Sequence, residues 1–384
     1  MTLPFKQRIE KALDSRREQG LTRRLRCLDG GNQPELTEGG QRYVNFSSND
    51  YLGLACDSEL AAQWQQGIAR YGNGSGASPL VTGFSHPHRE LEAALCDWLD
   101  YPRAVLFGSG FSANQAMLFS LLQQDDYLLQ DKLNHASLIE AGLLSPATMR
   151  RFRHNSVENL SAMLKPQQNT LVVTEGVFSM DGDCAPLAKI SAAVRDSAWL
   201  AVDDAHGIGV LGEEGRGSID VHNVKPQLLV VTFGKAFGMS GAAILCDHAV
   251  GDYLTQFARH HVYSTAIPPA QAFALTHAVK MIRTQQWRRE KSAELRAFYD
   301  EQLSQLAGFV ATDTPIKPFQ LGDSQRALEA GEQLRQRGLW LTAIRPPTVP
   351  QGSARLRITI TANHTKAQLA KLATSLSHIM ERQS

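Results

Sequence analysis

Short apolar runs and longer amphipathic segments alternate along the middle of this 384-residue chain. Between about residues 50 and 265, each run is rich in Val, Leu and Ile, ends at Gly or polar residues, and is followed by a segment with helical spacing. Continuous apolar runs are typical of strands buried on both faces, and their alternation with helices is typical of βαβ units. The pattern therefore predicts an α/β domain with a mostly parallel sheet and helices on both faces.

The N-terminal end of the chain follows a different pattern. Residues 5–20, FKQRIEKALDSRREQG, have the spacing of an amphipathic helix with charges outside and Ile9 and Leu13 inside. A short polar arm with a strand-like RYVNFS follows this segment. We therefore expect residues 1–45 to form an N-terminal helix and arm.

A second change of pattern occurs near residue 285. A long helix is expected after the prolines of YSTAIPP (263–269). The segments beyond it predict helices at 326–337 and 365–381 and strands at 339–344 and 355–362. We therefore expect a large domain over 46–285 and a small α+β domain over 286–384.

Composition narrows the functional classes. The 39 basic and 38 acidic side chains nearly cancel, so no broad electric field attracts nucleic acid or an anionic membrane. A hydrophobic content of 43% with 20% charged residues is typical of a soluble globular protein, and we expect neither a signal peptide nor a membrane span. The five cysteines form no CxxC pair and are odd in number, which favours reduced thiols and a cytoplasmic protein. The paired histidines at 86–88 and 260–261 lack suitably spaced partners, so no metal site is predicted.

Lys235 has the most informative position in the sequence. It follows the apolar run LLVVT (228–232), in the turn 233–238, where Gly234 and Gly238 allow the backbone to bend. A lysine at such a strand end either extends its ammonium group to water or acts chemically. Because desolvated amines lose their charge and form imines with carbonyl compounds, Lys235 is a candidate for covalent catalysis.

A second strand end, WLAVDDAHG (199–207), places Asp203 and His206 three residues apart. A desolvated carboxylate there needs a cationic or hydrogen-bonding partner. One interpretation is that Asp203 or Asp204 caps the next helix. The other is that Asp203 pairs with a protonated pyridine nitrogen, as chemistry based on pyridoxal phosphate requires beside a lysine imine.

Pyridoxal phosphate also needs an anion site, and one strand-to-helix turn offers such a site. The segment AVLFGSGFSANQ (104–115) predicts a strand, a tight turn and a helix that opens near Ser112. The backbone amides of Gly110 and Phe111 would then point out of the helix start, where the helix dipole favours an anion.

Three further side chains are candidates for cofactor contacts. Ser179, which is expected to end another strand, and Thr232 have hydroxyls that donate to a phosphate or a ring oxygen. His135 is expected at a helix start, where a neutral imidazole either lies flat on an aromatic ring or caps a surface helix.

Five segments in order along nearly the whole chain resemble the α-oxoamine synthases, a family of enzymes with the type I fold of pyridoxal phosphate-dependent aminotransferases. The segments are SSNDYLGL (47–54), NHASLIEA (134–141), TEGVFSMDGD (174–183), DDAHGIGVLGEEGRG (203–217) and TFGKAFGMSGA (232–242). The resemblance implies a large domain with a seven-stranded sheet and a small C-terminal domain. It also implies that an amino acid is joined to an acyl-CoA with loss of carbon dioxide.

The resemblance implies a role for each candidate around the cofactor. It makes Lys235 the residue covalently joined to pyridoxal phosphate and Asp203 the partner of the pyridine nitrogen. It also implies that His135 stacks on the ring and that His206 contacts the phenolic oxygen. The implied phosphate contacts are Ser179, Thr232 and the amides of Gly110 and Phe111.

The resemblance also implies substrate contacts. Arg357 becomes the clamp for the amino acid carboxylate, a task that suits the planar guanidinium, although an ordinary edge-strand charge is the alternative for it. Arg23 and Thr348 match positions associated with substrate, and a solvated helix face is the alternative for Arg23. The segment Gly76–Pro79 departs from the family pattern, so no binding residue is assigned to it.

The segment AIRPPTVPQGSARLRITITANHT (343–365) resembles one branch of the family. That branch condenses L-alanine with pimeloyl-CoA, or with pimeloyl-acyl carrier protein, in biotin biosynthesis. Sister enzymes that use glycine with acetyl-CoA or succinyl-CoA, or serine with a fatty acyl-CoA, are the alternative, because they share the same lysine chemistry. The family also implies a homodimer, in which Ser264 or Thr265 extends to the phosphate of the neighbouring subunit.

Overall fold

The computed structural model describes residues 4–381. The helices, in chain order, are α1 (Pro4–Glu18), α2 (Ser58–Tyr71), α3 (His86–Leu99), α4 (Gly110–Leu121), α5 (Ala136–Leu144), α6 (Val157–Met163), α7 (Leu187–Val194), α8 (Ser218–Val221), α9 (His248–Phe257), α10 (Arg259–Val262), α11 (Pro269–Thr284), α12 (Trp287–Leu303), α13 (Ser324–Gln336) and α14 (Lys366–Glu381). The strands, in chain order, are β1 (Glu35–Glu38), β2 (Gln41–Asn45), β3 (Arg103–Phe107), β4 (Tyr127–Asp131), β5 (Thr148–Phe152), β6 (Thr170–Glu175), β7 (Trp199–Asp203), β8 (Leu228–Thr232), β9 (Ala242–Cys246), β10 (Ile316–Gly322), β11 (Leu339–Trp340), β12 (Thr342–Ile344) and β13 (Ala354–Thr359).

The largest sheet is mixed but mostly parallel. Within residues 4–381 it contains seven strands in the order β3-β9-β8-β7-β6-β4-β5. The neighbours from β8 to β5 run parallel, whereas β9 is antiparallel to both β8 and β3. The predicted α/β fold with a mostly parallel, seven-stranded sheet is confirmed.

The strands of this sheet are apolar throughout because both of their faces are covered. Along β8, Leu229 and Val231 point into one hydrophobic core, and Leu228 and Val230 point into the core on the opposite face. The first core includes apolar side chains of α3, α7 and α11, and the second includes those of α4, α5 and α9. Continuous apolar runs in the sequence therefore reflect burial on two sides.

A separate core joins the C-terminal part of the chain to the N-terminal arm. It contains apolar side chains of α12, α13 and α14 and of the antiparallel sheet β10-β13-β12, together with Val44 of the arm and the adjoining Phe46. Residues 339–344 were expected to form one strand, and this prediction is wrong. Leu339 pairs with Val44 in one sheet, whereas Thr342 pairs with Arg357 in another, so the chain changes sheets at Leu341. The boundaries of the three predicted domains stay predictions.

The N-terminal helix differs from its sequence prediction in packing. It forms over Pro4–Glu18, but Ile9 and Leu13 are 56% and 52% exposed rather than inside. None of the residues of this helix is buried in the single chain. Among all helices of residues 4–381, none combines the length and apolar character needed to cross a bilayer.

Candidate active site

The predicted chemical groups meet at the carboxyl ends of the parallel strands, where β7 ends at Asp203 and β8 ends at Thr232. Two adjoining cavities open at this edge of the sheet. The Asp203 cavity, of about 290 Å³, includes Gly110, Phe111, Asn114, Glu175, Asp203 and Thr232 in its lining. The Arg357 cavity, of about 260 Å³, includes Ser47, Ser179, Met180, Thr342, Ile344 and Arg357. Both are lined by Asn49, His135, His206 and Lys235, so these four residues lie between the two cavities.

Lys235 lies in a tight turn that returns the chain from β8 to β9. The turn depends on Gly238, which has φ +68° and whose added Cβ would lie 2.3 Å from the amide nitrogen of Ala55. Gly234 has no such constraint, because an added Cβ there would lie 3.7 Å from its nearest neighbour. The Lys235 Nζ atom lies 3.5 Å from Thr232 Oγ1. The turn therefore directs the amine back over the end of its own strand.

The surroundings of Lys235 shift its amine toward the neutral form. Burial lowers the pKa of Lys235 from its ordinary value of 10.5, and the nearby charge of Arg357 lowers it further. The carboxyl groups of Asp203 and Glu175 act in the opposite direction, but burial is the larger effect. A neutral amine is the form that attacks a carbonyl group and the form that accepts a proton.

Asp203 is buried and held by two hydrogen bonds. Its Oδ2 accepts one from Asn114 Nδ2 at 2.7 Å, and its Oδ1 accepts one from the backbone N–H of Ala205 at 3.1 Å. The capping interpretation applies to Asp204 instead, because Asp204 accepts hydrogen bonds from the backbone N–H and the hydroxyl of Ser218 at the start of α8. Asp203 is thus oriented toward the cavity.

Glu175 is a site residue that was not predicted from the sequence. It ends β6, pairs with Asp203 across the two parallel strands, and is 3% exposed. Its Oε1 atom is buried without a hydrogen-bond partner among the described residues. Burial raises the pKa of Glu175 well above its ordinary value, and the neighbouring Asp203 carboxylate adds to this effect. The sequence contained the signal, because TLVVTE places a carboxyl group at an apolar strand end as WLAVD does.

The two histidines of the site are both favoured in the neutral form. The Nδ1 atom of His135 accepts a hydrogen bond from the backbone N–H of Ser137 at the start of α5, and burial lowers the pKa of His135. His206 Nδ1 lies 2.5 Å from the hydroxyl of Tyr51. Burial, with the nearby positive charge of Arg357, holds the pKa of His206 well below its ordinary value. His135 therefore caps its helix and also faces both cavities.

The predicted anion site lies at the start of α4, which begins at Gly110 rather than near Ser112. Ser109 caps this helix through its hydroxyl, which accepts a hydrogen bond from the N–H of Ser112 at 3.1 Å. The N–H groups of Gly110 and Phe111 belong to the first turn and have no intrahelical acceptor. A Cβ at Gly110 would lie only 2.6 Å from Thr232 Cγ2, so the close approach of α4 to β8 requires glycine.

Ser179 and Arg357 lie in the Arg357 cavity. The prediction that Ser179 ends a strand is wrong, because β6 ends at Glu175 and Ser179 follows in a turn. Arg357 is buried on β13, the central strand of its sheet, and donates from Nε to the carbonyl oxygen of Ser179 at 2.6 Å. Its Nη1 donates to Thr359 Oγ1 at 3.1 Å. Arg357 is therefore not an edge-strand charge.

Four other candidates lie outside the two cavities. Arg23 is exposed after the end of α1, and Thr348 is exposed in a turn closed by its N–H to the carbonyl oxygen of Arg345. Ser264 and Thr265 are exposed in the chain and line a small separate cavity that shares Gly108 with the Asp203 cavity.

The residues present fit pyridoxal 5′-phosphate. Three groups face the same space: the Lys235 amine with its lowered pKa, the oriented Asp203 carboxylate, and the start of α4, where packing against Thr232 requires Gly110. Asn114 Oδ1 and Glu175 Oε1 are buried there without hydrogen-bond partners among residues 4–381. Such a combination of an amine, an acid and an anion site matches the groups of this cofactor.

Comparisons with known proteins agree with this geometry. Residues 41–376 match the model of the family "Aminotransferase class I and II". The chain is 66% identical over 382 residues to the 8-amino-7-oxononanoate synthase of Vibrio cholerae serotype O1, and the match covers 100% of both chains. It is similar to the structure of a serine palmitoyltransferase from S. paucimobilis with a bound PLP–myriocin aldimine, at a TM-score of 0.91 and 27% identity, covering 97% of each chain. It also resembles the structure of 8-amino-7-oxononanoate synthase from Francisella tularensis, at a TM-score of 0.77 and 30% identity, covering 88% of this chain and 97% of that one. The chain therefore belongs to the class I and II aminotransferase family and, within it, to the 8-amino-7-oxononanoate synthases.

Proposed function

We propose that this enzyme condenses L-alanine with a pimeloyl thioester, carried by CoA or by acyl carrier protein, as a step of biotin biosynthesis. The observation that carries the proposal is the position of Lys235 between two cavities, one with an anion site and a carboxylate and the other with a buried arginine. The anion site and the carboxylate suit the cofactor, and the buried arginine suits the carboxylate of an amino acid. The choice of L-alanine and a pimeloyl group rests on the name shared by the full-length relatives.

The cofactor of this family is pyridoxal 5′-phosphate. We assign Lys235 as its covalent attachment and Asp203 as the partner of its pyridine nitrogen. His135 is assigned to the face of its ring and His206 to its phenolic oxygen. The proposed phosphate contacts are the hydroxyl of Thr232 and the amides of Gly110 and Phe111. Ser179 is proposed as a contact from the side of the Arg357 cavity.

When bound, the cofactor supplies an electron-poor ring that accepts the electron pair left at the α-carbon of the amino acid. Asp203 sustains this property because its carboxylate, fixed by Asn114, stabilises a proton on the ring nitrogen. Burial raises the pKa of Glu175 well above its ordinary value and so disfavours a second negative charge beside Asp203. These two residues would thus set the charge next to the ring nitrogen.

Lys235 is the proposed base. Its lowered pKa favours the neutral amine, which removes the α-proton of L-alanine and returns a proton to the same carbon at the end of the reaction. Arg357 binds the alanine carboxylate until it leaves as carbon dioxide. Between these two proton transfers, the α-carbon forms a bond to the thioester carbonyl carbon, and the thiolate leaves and takes up a proton from the solvent. The chain is therefore a transferase that forms a carbon–carbon bond by acyl transfer.

We also propose that the enzyme is a cytoplasmic homodimer. Exposed apolar side chains support an interface between subunits, among them Phe111 beside the anion site and Tyr263 beside Ser264 and Thr265. The partner's Ser264 or Thr265 would then approach the phosphate. Arg23 and Thr348 remain proposed substrate contacts.

The proposal is tested by a product assay. Purified enzyme with pyridoxal phosphate is given L-alanine and pimeloyl-CoA, or glycine with acetyl-CoA or succinyl-CoA, and products are identified by mass spectrometry. We expect 8-amino-7-oxononanoate, with one carbon dioxide and one free thiol per product, and no product from Lys235→Ala. Faster turnover of glycine with either short acyl-CoA would reassign the chain to a sister enzyme. Activity retained in Lys235→Ala would refute the role of that amine.

A further inference from the structure

The turn that carries Ser179 follows β6 and lies between the large sheet and the C-terminal sheet, with contacts to both. It spans residues 178–183, and it is closed by the N–H of Phe178 to the carbonyl oxygen of Asp183 at 3.0 Å and by the N–H of Gly182 to that of Phe178 at 2.9 Å. A single antiparallel bridge joins Val177 and Cys184, the residues on either side of the turn. We call residues 178–183 the bridging turn.

Two arginines of β13 bind one side of the bridging turn. Arg357 donates from Nε to the carbonyl oxygen of Ser179 at 2.6 Å. Arg355 forms a salt bridge with Asp181 and donates to the carbonyl oxygen of Met180 at 3.4 Å. The orientation of the Arg357 guanidinium is thus set partly by where this turn places a carbonyl oxygen.

His154 binds the other side of the bridging turn. Its Nε2 lies 2.8 Å from Asp183 Oδ2, and its Nδ1 lies 2.9 Å from Oδ1 of Asp131, the last residue of β4. Carboxylates accept hydrogen bonds and do not donate them, so both ring nitrogens carry a proton and His154 is a cation. Burial opposes this charge, but the two carboxylates outweigh it and raise the pKa of His154 to about 10.

The neighbours of His154 support the same arrangement. Asn155 donates from Nδ2 to Asp183 Oδ2 at 2.8 Å and from its backbone N–H to Asp131 Oδ2 at 2.8 Å. The ring of Phe178 meets the His154 ring edge-on, with centroids 4.4 Å apart. The bridging turn is therefore fixed to the end of β4 by a cation between two carboxylates.

We propose that His154 is a positioning residue for substrate binding: it holds the bridging turn so that the carbonyl oxygen of Ser179 orients Arg357 toward the carboxylate of the amino acid. His154 lines neither the Asp203 cavity nor the Arg357 cavity, so it acts through the turn and not by contact with a ligand. The inference rests on the proposed role of Arg357 as the carboxylate clamp. A positioning role predicts a selective loss of amino acid affinity, whereas a purely structural role predicts a loss of folding stability without that selectivity.

The experiment compares His154→Ala and Asp183→Asn with the wild-type holoenzyme. Affinity for L-alanine is measured by calorimetry in the absence of acyl donor, and KM is measured for both substrates. We expect L-alanine affinity to fall by about tenfold in each variant, as is common for coupled neighbours, with KM for pimeloyl-CoA changed less than threefold. Asp183→Asn keeps the shape of the side chain and serves if His154→Ala fails to fold.

The matched control is His277→Ala. His277 also pairs with a carboxylate, Glu59 at 2.7 Å, but on the surface between α2 and α11 and away from both cavities. We expect this variant to bind L-alanine as the wild type does. Equal losses in His277→Ala and His154→Ala would overturn the inference, because the effect would then follow from removing any paired histidine.

A double-variant comparison separates this inference from the proposed function. If Arg357 is the clamp, Arg357→Ala weakens L-alanine binding strongly, and adding His154→Ala weakens it little further. If Arg357→Ala leaves L-alanine affinity unchanged, the clamp assignment in the proposed function is wrong. If Arg357→Ala weakens binding but folded His154→Ala and Asp183→Asn do not, the positioning role of His154 is wrong and the clamp stands.

Discussion

Glu175 and Asp203 end neighbouring parallel strands at paired positions, so two buried carboxyl groups lie side by side at one edge of the sheet. Asp203 accepts two hydrogen bonds, whereas Glu175 Oε1 has no partner among the described residues. Two adjacent carboxyl groups do not ionise equally, and the one that is less well solvated retains its proton. We therefore expect the pair to carry a single negative charge.

The same chemical change in the two residues is expected to give opposite results. Glu175→Gln replaces one neutral group with another, and we expect kcat/KM for L-alanine to stay within about threefold of the wild type. Asp203→Asn removes the negative charge beside the ring nitrogen, and we expect a loss of about 100-fold or more, as for other preorganised electrostatic contacts. Steady-state kinetics of both variants checks this prediction. Equal losses in the two would contradict the division of charge.

The pKa of Lys235 is expected to respond in opposite directions to two substitutions. Burial lowers it, Arg357 lowers it further and Asp203 raises it. Arg357→Ala should therefore raise the pKa of Lys235, and Asp203→Asn should lower it. The measurement is the pH dependence of Lys235 labelling by an amine-reactive reagent in enzyme freed of cofactor, followed by peptide mass mapping. A shift in the same direction in both variants would show that the charges act by another route.

Gly110→Ala is expected to weaken cofactor binding by about tenfold or more, because an added methyl group collides with a well-packed neighbour. The Cβ would lie 2.6 Å from Thr232 Cγ2. Thr232→Ser removes that methyl group and keeps the hydroxyl, so the double variant should bind pyridoxal phosphate more tightly than Gly110→Ala alone. Cofactor titration by fluorescence quenching measures both. No recovery in the double variant would mean that the collision is not the cause.

The stability of the fold is expected to fall on acidification through His364. Its Nδ1 accepts from the N–H of Thr361 at 2.9 Å and its Nε2 lies 3.0 Å from the carbonyl oxygen of Asn45, so the neutral ring is bound. Burial lowers the pKa of His364 from 6.5 to about 4. The unfolded chain therefore takes up a proton first as the pH falls, and the contribution is complete above pH 6.5 and lost toward pH 4.

The difference between the ordinary and the lowered pKa of His364 corresponds to roughly 3 kcal/mol of unfolding free energy at most. Urea unfolding of the wild type and of His364→Gln between pH 8 and pH 4.5 checks it. The variant should be less stable at pH 8 and should lose less stability on acidification. Parallel curves for the two proteins would assign the acid sensitivity to other groups.

The strand-end residues show how far a single sequence determines a site. Asp203, Thr232 and the Lys235 turn could be placed together because the carboxyl ends of parallel strands share one edge of a sheet. Glu175 satisfied the same rule and was overlooked, although its strand was identified. Ser179 was assigned to a strand end that lies four residues earlier, because a polar turn after a strand and the end of that strand have similar composition.

The fold and the meeting of polar strand ends around Lys235 could be predicted from the sequence, since apolar periodicity and the order of local motifs are properties of the chain itself. Contacts between distant segments were decided only by the tertiary structure. The carbonyl oxygen that orients Arg357, the two carboxylates that hold His154 and the exposed side of α1 depend on how separate elements pack. Local spacing cannot specify such pairs, because their residues are tens to hundreds of positions apart and meet only when the sheets and helices are assembled.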